Sequence, residues 1–180
     1  LPQQAEVDRS FPVSVIETVV LGLWRKTRLF RPVTPALWRE AQQALATVGL
    51  DRFERRSIGS LSAGQFQRVM FARLLLQDSP VILLDEPFAA IDTKTADDLL
   101  GLVLKWHRDG RTVIAVLHDL DQVLTHFPRT LLIAREPIAW GESQEVLSAV
   151  HLSQARSLAH AWGDGVGQGQ RGVAWTSTTR

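Results

Sequence analysis

The sequence predicts an α/β fold: a mostly parallel sheet with helices on both faces, joined to a helical subdomain. Two short apolar runs, residues 81–84 and 112–117, have the composition of parallel strands that are buried on both faces. An amphipathic pattern with helical spacing fills residues 93–108 between them. The order strand, helix, strand is typical of an α/β domain, in which ligands bind beyond the carboxyl ends of the strands.

Composition restricts the classes of function. The length of 180 residues fits one globular domain, or one domain with a tail. A net charge of +1 gives no electrostatic reason to expect binding to nucleic acid or to anionic lipid. The absence of cysteine excludes disulfides and thiolate metal sites. No apolar run reaches the roughly 18 residues that a membrane span needs, so we expect any membrane association to be made through a partner.

The first 60 residues carry mainly helical patterns. Apolar residues within 14–24 and 37–48 recur at helical spacing, and Gly49 is a suitable stop signal after the second segment. Two segments are predicted as loops, residues 5–12 and 25–35.

A turn of small and polar residues, 61–65 (LSAGQ), precedes the next helical pattern, which begins at Phe66. A turn with free N–H groups at the start of a helix is a suitable phosphate site, because the amides and the helix dipole both favour an anion. The residues that follow the strand at 81–84 are Asp85 and Glu86, and His118 follows the strand at 112–117. The sequence therefore predicts two acids and a histidine at the ligand-binding edge of the sheet.

The C-terminal part of the chain is predicted to form a short helix, a hairpin and a final helix before a glycine-rich tail. The predicted helices are residues 120–127 and 151–162, and the predicted hairpin strands are residues 130–134 and 137–140. Gly167 and Gly172 have the spacing of a phosphate-binding loop, but Val173 and Ala174 replace its Lys-Ser/Thr pair, so this segment is not one.

Three motifs resemble those of ABC transporter ATP-binding subunits, in the family's order and at its spacing. LSAGQ at 61–65 is similar to the family's signature LSGGQ, VILLDEP at 81–87 to its Walker B strand, and AAID at 89–92 to its D-loop. The resemblance implies a P-loop NTPase-like fold that binds ATP and Mg²⁺. It implies the following regions: the last two-thirds of a nucleotide-binding domain at 1–150, with a helical subdomain at about 10–60 and a core at 61–150, then a helix and flexible tail at 151–180.

The resemblance also implies roles for residues that act on the chain's own nucleotide. Asp85 would hold Mg²⁺, and Glu86 would polarise the water that attacks the γ-phosphate. His118 would contact the γ-phosphate and orient that water. Gln3, with Gln4 as the alternative register, would begin the Q-loop and approach Mg²⁺ or the water.

Other residues would act across a two-fold dimer, on the nucleotide held by a second ATPase subunit. Ser62 would supply a hydroxyl, Gly64 would allow close backbone approach, and Gln65 would help fix the turn. Ala63 replaces a usual glycine, and we expect it to be tolerated if its φ is not positive. Asp92 would cross the dimer interface, cap the next helix, or do both.

The sequence contains no G-x-x-x-x-G-K-[ST] phosphate-binding loop, which in this family lies before the Q-loop. The chain also starts at Leu1 rather than at Met, so we expect an N-terminal segment that carries this loop to be missing. We therefore predict that the 180-residue chain does not hydrolyse ATP alone.

Three longer segments carry a closer resemblance, which bears on the substrate that such a transporter would carry. PQQAEVDRSFPVSV at 2–15, DEPFAAID at 85–92 and LLIAREPIAWGES at 131–143 are similar to ATPases of zinc and manganese importers. Iron-chelate or haem importers, soluble non-transport ABC proteins and a non-catalytic interaction domain remain alternatives. The importer interpretation implies a peripheral position on the cytoplasmic face of the membrane, transmembrane permease subunits as partners, and indirectly an external metal-binding protein. Phe11 and Trp24 would either dock on the permease or belong to the subdomain core, and we favour the core.

Overall fold

The computed structural model describes residues 11–24, 32–89 and 91–163. The chain forms two compact units, residues 1–118 and residues 119–180. The predicted Q-loop residue Gln3 and the glycine-rich tail lie outside the described residues.

The first unit begins with a capped helix, α1 (Val15–Val20), which continues as a 3₁₀ turn over Leu21–Leu23. The Ser14 hydroxyl and the Glu17 carboxylate form a capping box: the Glu17 amide donates to Ser14 Oγ, and the Ser14 amide donates to Glu17 Oε2 at 2.8 Å. This arrangement agrees with the helical pattern at 14–24. Phe11 and Trp24 are each 62% exposed, so the preferred prediction that they belong to the core is wrong.

The second helix, α2 (Pro35–Thr47), starts at a residue that we had assigned to a loop. Pro35 suits the first helical position because the missing N–H has no helical partner there, and the Thr34 hydroxyl accepts from the Leu37 amide at 3.4 Å. The helix ends as predicted, with Gly49 at a φ of 73°. A short 3₁₀ turn, Ile58–Ser60, then leads to the third helix.

Helix α3 (Ala63–Gln77) is the central element of the first unit. Its buried residues include Phe66, Val69 and Phe71. Gly22 of the 3₁₀ turn packs directly on its backbone: a Cβ on Gly22 would lie 2.4 Å from the carbonyl oxygen of Arg73. Only glycine therefore fits at position 22 without a shift of one backbone against the other.

A parallel strand pair carries the predicted ligand-binding edge. Strand β1 (Val81–Asp85) pairs with β2 (Thr112–Val116) in parallel, from Val81 opposite Thr112 to Asp85 opposite Val116. Helix α4 (Thr93–Arg108) makes the crossover between them. Phe71 of α3 stacks on Trp106 of α4, with ring centroids 5.6 Å apart and planes 14° from parallel.

The prediction that both strands are buried on both faces is wrong for this unit. Ile82 and Leu84 are buried, but the alternate residues are exposed on the other side: Val81 by 51%, Leu83 by 60%, Ile114 by 56% and Val116 by 52%. The apolar runs at 81–84 and 112–117 give the strand pair apolar side chains on both of its faces. Within residues 11–118, the described elements cover only one of them.

The second unit contains a helix, a hairpin and two further helices. These are α5 (Leu120–His126), β3 (Arg129–Ala134), β4 (Glu136–Glu142), α6 (Ser143–Val146) and α7 (Ala149–Gly163). Strands β3 and β4 pair antiparallel, with Arg135 at a φ of 67° in the connection, so the predicted hairpin is confirmed. Among the described residues, no helix is both long enough and apolar enough to cross a membrane.

Candidate functional site

The signature turn, residues 61–65, is fixed by hydrogen bonds within itself. Ser62 is the N-cap of α3: its Oγ accepts from the Gln65 amide at 3.2 Å, and its own amide donates to Gln65 Oε1 at 3.1 Å. This capping box leaves the hydroxyl proton of Ser62 available, since the bond to Gln65 uses only an oxygen lone pair. Gln65 therefore fixes the turn, as predicted.

Ala63 and Gly64, the two small residues of the signature turn, differ in whether backbone conformation or packing limits the side chain at that position. Ala63 is the first residue of α3 and is not among the four described non-glycine residues with a positive φ, so the condition under which it is tolerated is met. A Cβ on Gly64 would lie 3.5 Å from Asp92 Oδ2 and 3.6 Å from Thr95 Cγ2, which are ordinary contact distances. Packing within the chain therefore does not require a glycine at position 64.

Asp85, Glu86 and Asp92 form a second feature, which we call the acidic edge. Asp85 is the last residue of β1 and is exposed, and Glu86 follows with a φ of 43°. The left-handed region costs a non-glycine residue about 1–3 kcal/mol and persists only where the surroundings enforce it. Here the Glu86 amide donates to the Val116 carbonyl at 3.0 Å, which extends the strand ladder by one bond.

Glu86 and His118 are brought into direct contact. His118 Nε2 and Glu86 Oε1 are hydrogen-bonded to each other. The glutamate side chain is 13% exposed and the histidine side chain is 74% exposed. The pair thus places a shielded carboxylate beside an imidazole that is open to solvent, at the carboxyl ends of two adjacent parallel strands.

Asp92 caps helix α4. Its Oδ1 accepts from the Thr95 amide at 2.9 Å and its Oδ2 accepts from the Thr95 hydroxyl at 2.8 Å. These hydrogen bonds from Thr95, with a smaller contribution from the nearby Arg68 charge, lower the pKa of Asp92 below its usual 3.8. The capping role that the sequence allowed for Asp92 is therefore present.

The signature turn and the acidic edge are neighbours within the first unit. Gly64 lies beside Asp92 and Thr95, and two side chains of α3 reach further along the edge. Gln67 Nε2 donates to the Pro87 carbonyl at 2.8 Å. Arg68 donates to the Asp98 carboxylate at 2.8 Å and to the Thr95 hydroxyl at 3.3 Å.

The contacts of Gln67 and Arg68 are not among the predictions made from the sequence. Arg68 forms its ion pair with Asp98 of helix α4. Each of these contacts joins residues 20 or more positions apart, so no local pattern indicates them.

The oxygen donors of the acidic edge suit a hard cation. The described residues contain no group of three or more His, Cys, Asp or Glu side chains that could hold a metal ion by themselves. Mg²⁺ keeps several waters and is commonly held by one or two carboxylates with substrate phosphates, so a single exposed carboxylate such as that of Asp85 would be enough to hold it.

Comparison with known proteins identifies the family of these motifs. The family model for ABC transporters matches residues 2–89. The manganese transport system ATP-binding protein of Synechocystis is 36% identical over 152 residues, which are 84% of this chain and 58% of that protein. The corresponding protein of Bacillus subtilis is 34% identical over 154 residues, which are 86% of this chain and 62% of that protein.

Solved structures show the same fold. A metal-chelate type ABC transporter in an inward-facing conformation superposes with a TM-score of 0.79 at 28% identity, over 87% of this chain and 62% of that chain. A dimeric ATP-binding cassette bound to ADP and phosphate superposes with a TM-score of 0.64 at 30% identity, over 76% of this chain and 60% of that chain. The chain thus spans about three-fifths of the length of the relatives that it matches.

Proposed function

The chain contains part of an ABC transporter ATP-binding domain, and from this premise we propose that it belongs to the ATPase subunit of a metal-ion importer. The observation that carries the proposal is the hydrogen-bonded pair of Glu86 and His118 at the carboxyl ends of β1 and β2. In α/β sheets this is the edge at which ligands bind.

Asp85, Glu86 and His118 would act on the nucleotide held by the same chain. Glu86 polarises the water that attacks the γ-phosphate, and His118 contacts the γ-phosphate and orients that water. A bound Mg²⁺, held through Asp85, would neutralise charge on the phosphates. Phosphoryl transfer depends mainly on such positioning and charge neutralisation, which requires little covalent chemistry from the protein. Gln3, if it begins the Q-loop, completes this set.

The signature turn would act on the nucleotide of a second ATPase subunit. Ser62 keeps a hydroxyl proton that can be donated to a phosphate oxygen, and the start of a 15-residue helix favours an anion. Because an added Cβ at Gly64 meets only ordinary contacts within the chain, the glycine is better explained by close approach of something outside the chain. A nucleotide seated on a partner subunit is that ligand in this proposal.

Manganese is the cargo that the comparisons favour. The relatives from Synechocystis and Bacillus subtilis are both named as ATP-binding proteins of manganese transport systems. The transported ion does not contact an ATP-binding subunit. Transport measurements are therefore needed to distinguish manganese from zinc or an iron chelate as the cargo.

The permease partner would dock on the first unit. Among the described residues before the signature turn, three large apolar side chains are more than half exposed: Phe11, Leu21 and Trp24. Exposed apolar side chains that lie together in one patch are typical of a protein interface. We propose that these three side chains contact a transmembrane permease subunit and hold the protein at the cytoplasmic face of the membrane.

The test uses the protein expressed from its complete reading frame together with its permease subunits. We expect ATP-dependent uptake of Mn²⁺ in membrane vesicles, with Zn²⁺ and an iron chelate as competing cargoes, and loss of uptake in Glu86→Gln. The control is Asp97→Asn, which removes an exposed carboxylate from α4. ATP hydrolysis without uptake of any of the three cargoes would contradict the importer assignment, and uptake of Zn²⁺ or iron chelate in preference to Mn²⁺ would change the cargo.

A further inference from the structure

Two consecutive residues of α3, Gln67 and Arg68, link the signature turn to segments that are distant in sequence. Gln65, which closes the capping box, is separated from Gln67 by about 3 Å of helix rise. The signature turn, Gln67 and Arg68 therefore belong to one rigid helical segment. A displacement of the turn also displaces the side chains of both residues.

Gln67 holds the loop that follows Glu86. Its Nε2 donates to the Pro87 carbonyl at 2.8 Å, and the Ala89 amide donates to the Glu86 carbonyl at 3.1 Å, which closes the loop into a turn. Pro87 is buried. The Gln67 bond thus anchors the residue next to a glutamate whose backbone lies in the left-handed region at a φ of 43°.

Arg68 reaches Asp92 through one intermediate. Its Nη2 donates to the Thr95 hydroxyl at 3.3 Å, and that hydroxyl donates to Asp92 Oδ2 at 2.8 Å. The same guanidinium bonds Asp98 at 2.8 Å and, through Nη1, the Val48 carbonyl at 2.9 Å. Its side chain is 17% exposed, and its planar fork suits several partners held in fixed directions.

We propose that Gln67 and Arg68 are positioning residues that join the signature turn to Glu86 and Asp92. When the turn closes on the nucleotide of a second subunit, its displacement passes through Gln67 to Glu86, which would act on the chain's own nucleotide, and through Arg68 to Asp92 at the dimer interface. The inference rests on the proposed ATPase function, and it assigns to Gln67 and Arg68 the coupling of the two nucleotide sites of a dimer.

The first arm of the test measures ATP hydrolysis by the protein expressed from its complete reading frame. Gln67→Met keeps the volume of the side chain and removes its donor. We expect kcat to fall about 3- to 10-fold, the scale of one hydrogen bond, with the KM for ATP unchanged. The same substitution at Gln42, an exposed glutamine of α2, is the matched control and should leave kcat unchanged.

Arg68 is tested by a pair of variants. Asp98→Asn removes the charge of the ion pair but leaves the Thr95 and Val48 bonds in place, and we expect a kcat close to that of the unaltered protein. Arg68→Met removes all three links, and we expect a fall of about 10-fold in kcat at unchanged KM. An equal loss in both variants would assign the effect to the ion pair and overturn the proposed relay through Thr95.

The second arm needs no catalysis. Hydrogen exchange of the 180-residue chain should show about 3- to 10-fold faster exchange of the Ala89 amide in Gln67→Met, and no change there in Gln42→Met. Unchanged exchange at Ala89 would overturn the inference, as would an unchanged kcat. If the unaltered protein hydrolysed no ATP, the proposed function would fail and the coupling role with it. Exchange at Ala89 would then still decide whether Gln67 holds the loop.

Discussion

The signature turn and the acidic edge, the two parts of the proposed ATPase site, are held in place by different kinds of contact. The turn closes on itself through a capping box between Ser62 and Gln65, three residues apart. The acidic edge depends on distant residues: the Glu86 amide is bonded to Val116, its side chain to His118, and the following loop to Gln67. Local sequence therefore determines the turn, whereas tertiary structure determines the position of Glu86 and of the loop that follows it.

The largest effect is expected at the acidic edge. Glu86→Gln keeps the size of the side chain and removes its basicity, so turnover of the complete ATPase should fall by about 10²–10⁴, while ATP binding is retained. Steady-state hydrolysis and nucleotide titration measure the two quantities, with Asp97→Asn as the control. Equal turnover in Glu86→Gln would remove this carboxylate from the mechanism.

A smaller catalytic effect is expected at His118, because the histidine positions reactants and Glu86 remains. His118→Ala should lower kcat by about 10- to 100-fold and change ATP affinity less. The matched control is His107→Ala, on the exposed side of α4. A selective loss of ATP affinity in the His118 variant would indicate that the histidine is part of the binding site and does not orient the water.

The signature turn should respond chiefly in stability when its cap is removed. Ser62→Ala deletes the oxygen that accepts from the Gln65 amide and should lower the free energy of unfolding by about 0.5–2 kcal/mol. Urea unfolding of the chain measures the loss, and Ser62→Thr should restore most of it. If alanine and threonine were equally stable, the capping box would not be what holds the turn.

The same turn offers a separate functional test. Ser62→Arg places a long side chain where the partner's nucleotide would sit, so we expect no ATP-dependent dimer of the complete protein, while the monomer still binds ATP. Size-exclusion chromatography with a Glu86→Gln background separates the two states. The control is Gln42→Arg, at an exposed position of α2. Dimer closure in the Ser62 variant would show that the turn does not face a second subunit.

The smallest effect is expected in the pH dependence at Asp92. Because hydrogen bonds from Thr95 lower its pKa below 3.8, its contribution to stability is present above pH 3.8 and is lost as the pH falls through the lowered value. Asn at this position also caps a helix but does not titrate. Unfolding free energies of the unaltered chain and Asp92→Asn should therefore converge below pH 3.8, and a constant difference across the range would contradict the shift.

The same contrast between local and distant contacts explains which features could be predicted from the sequence. The crossover helix Thr93–Arg108 and the hairpin follow local patterns, and they were predicted to within a few residues. The capping box is also local but was not predicted, although Gln65 was expected to help fix the turn. Glu86 and His118 were predicted at the same edge of the sheet, and the resemblance to the family implied that both act on the attacking water. Their direct hydrogen bond was not predicted. The roles of Gln67 and Arg68 could not be predicted, because their partners lie in other elements.

Two misassignments have the same physical origin. The apolar runs of β1 and β2 show which side chains prefer to be buried. Whether they are buried also depends on which elements pack on each face of the strand pair, and one face is exposed within the first unit. Phe11 and Trp24 were assigned to the core on the same preference and are exposed.

The contact at Gly22 has a mechanical consequence. Because Gly22 has no side chain, the backbone of the 3₁₀ turn packs directly against the backbone of α3. A displacement of the 3₁₀ turn Leu21–Leu23 would therefore be transmitted to α3 through this direct backbone contact.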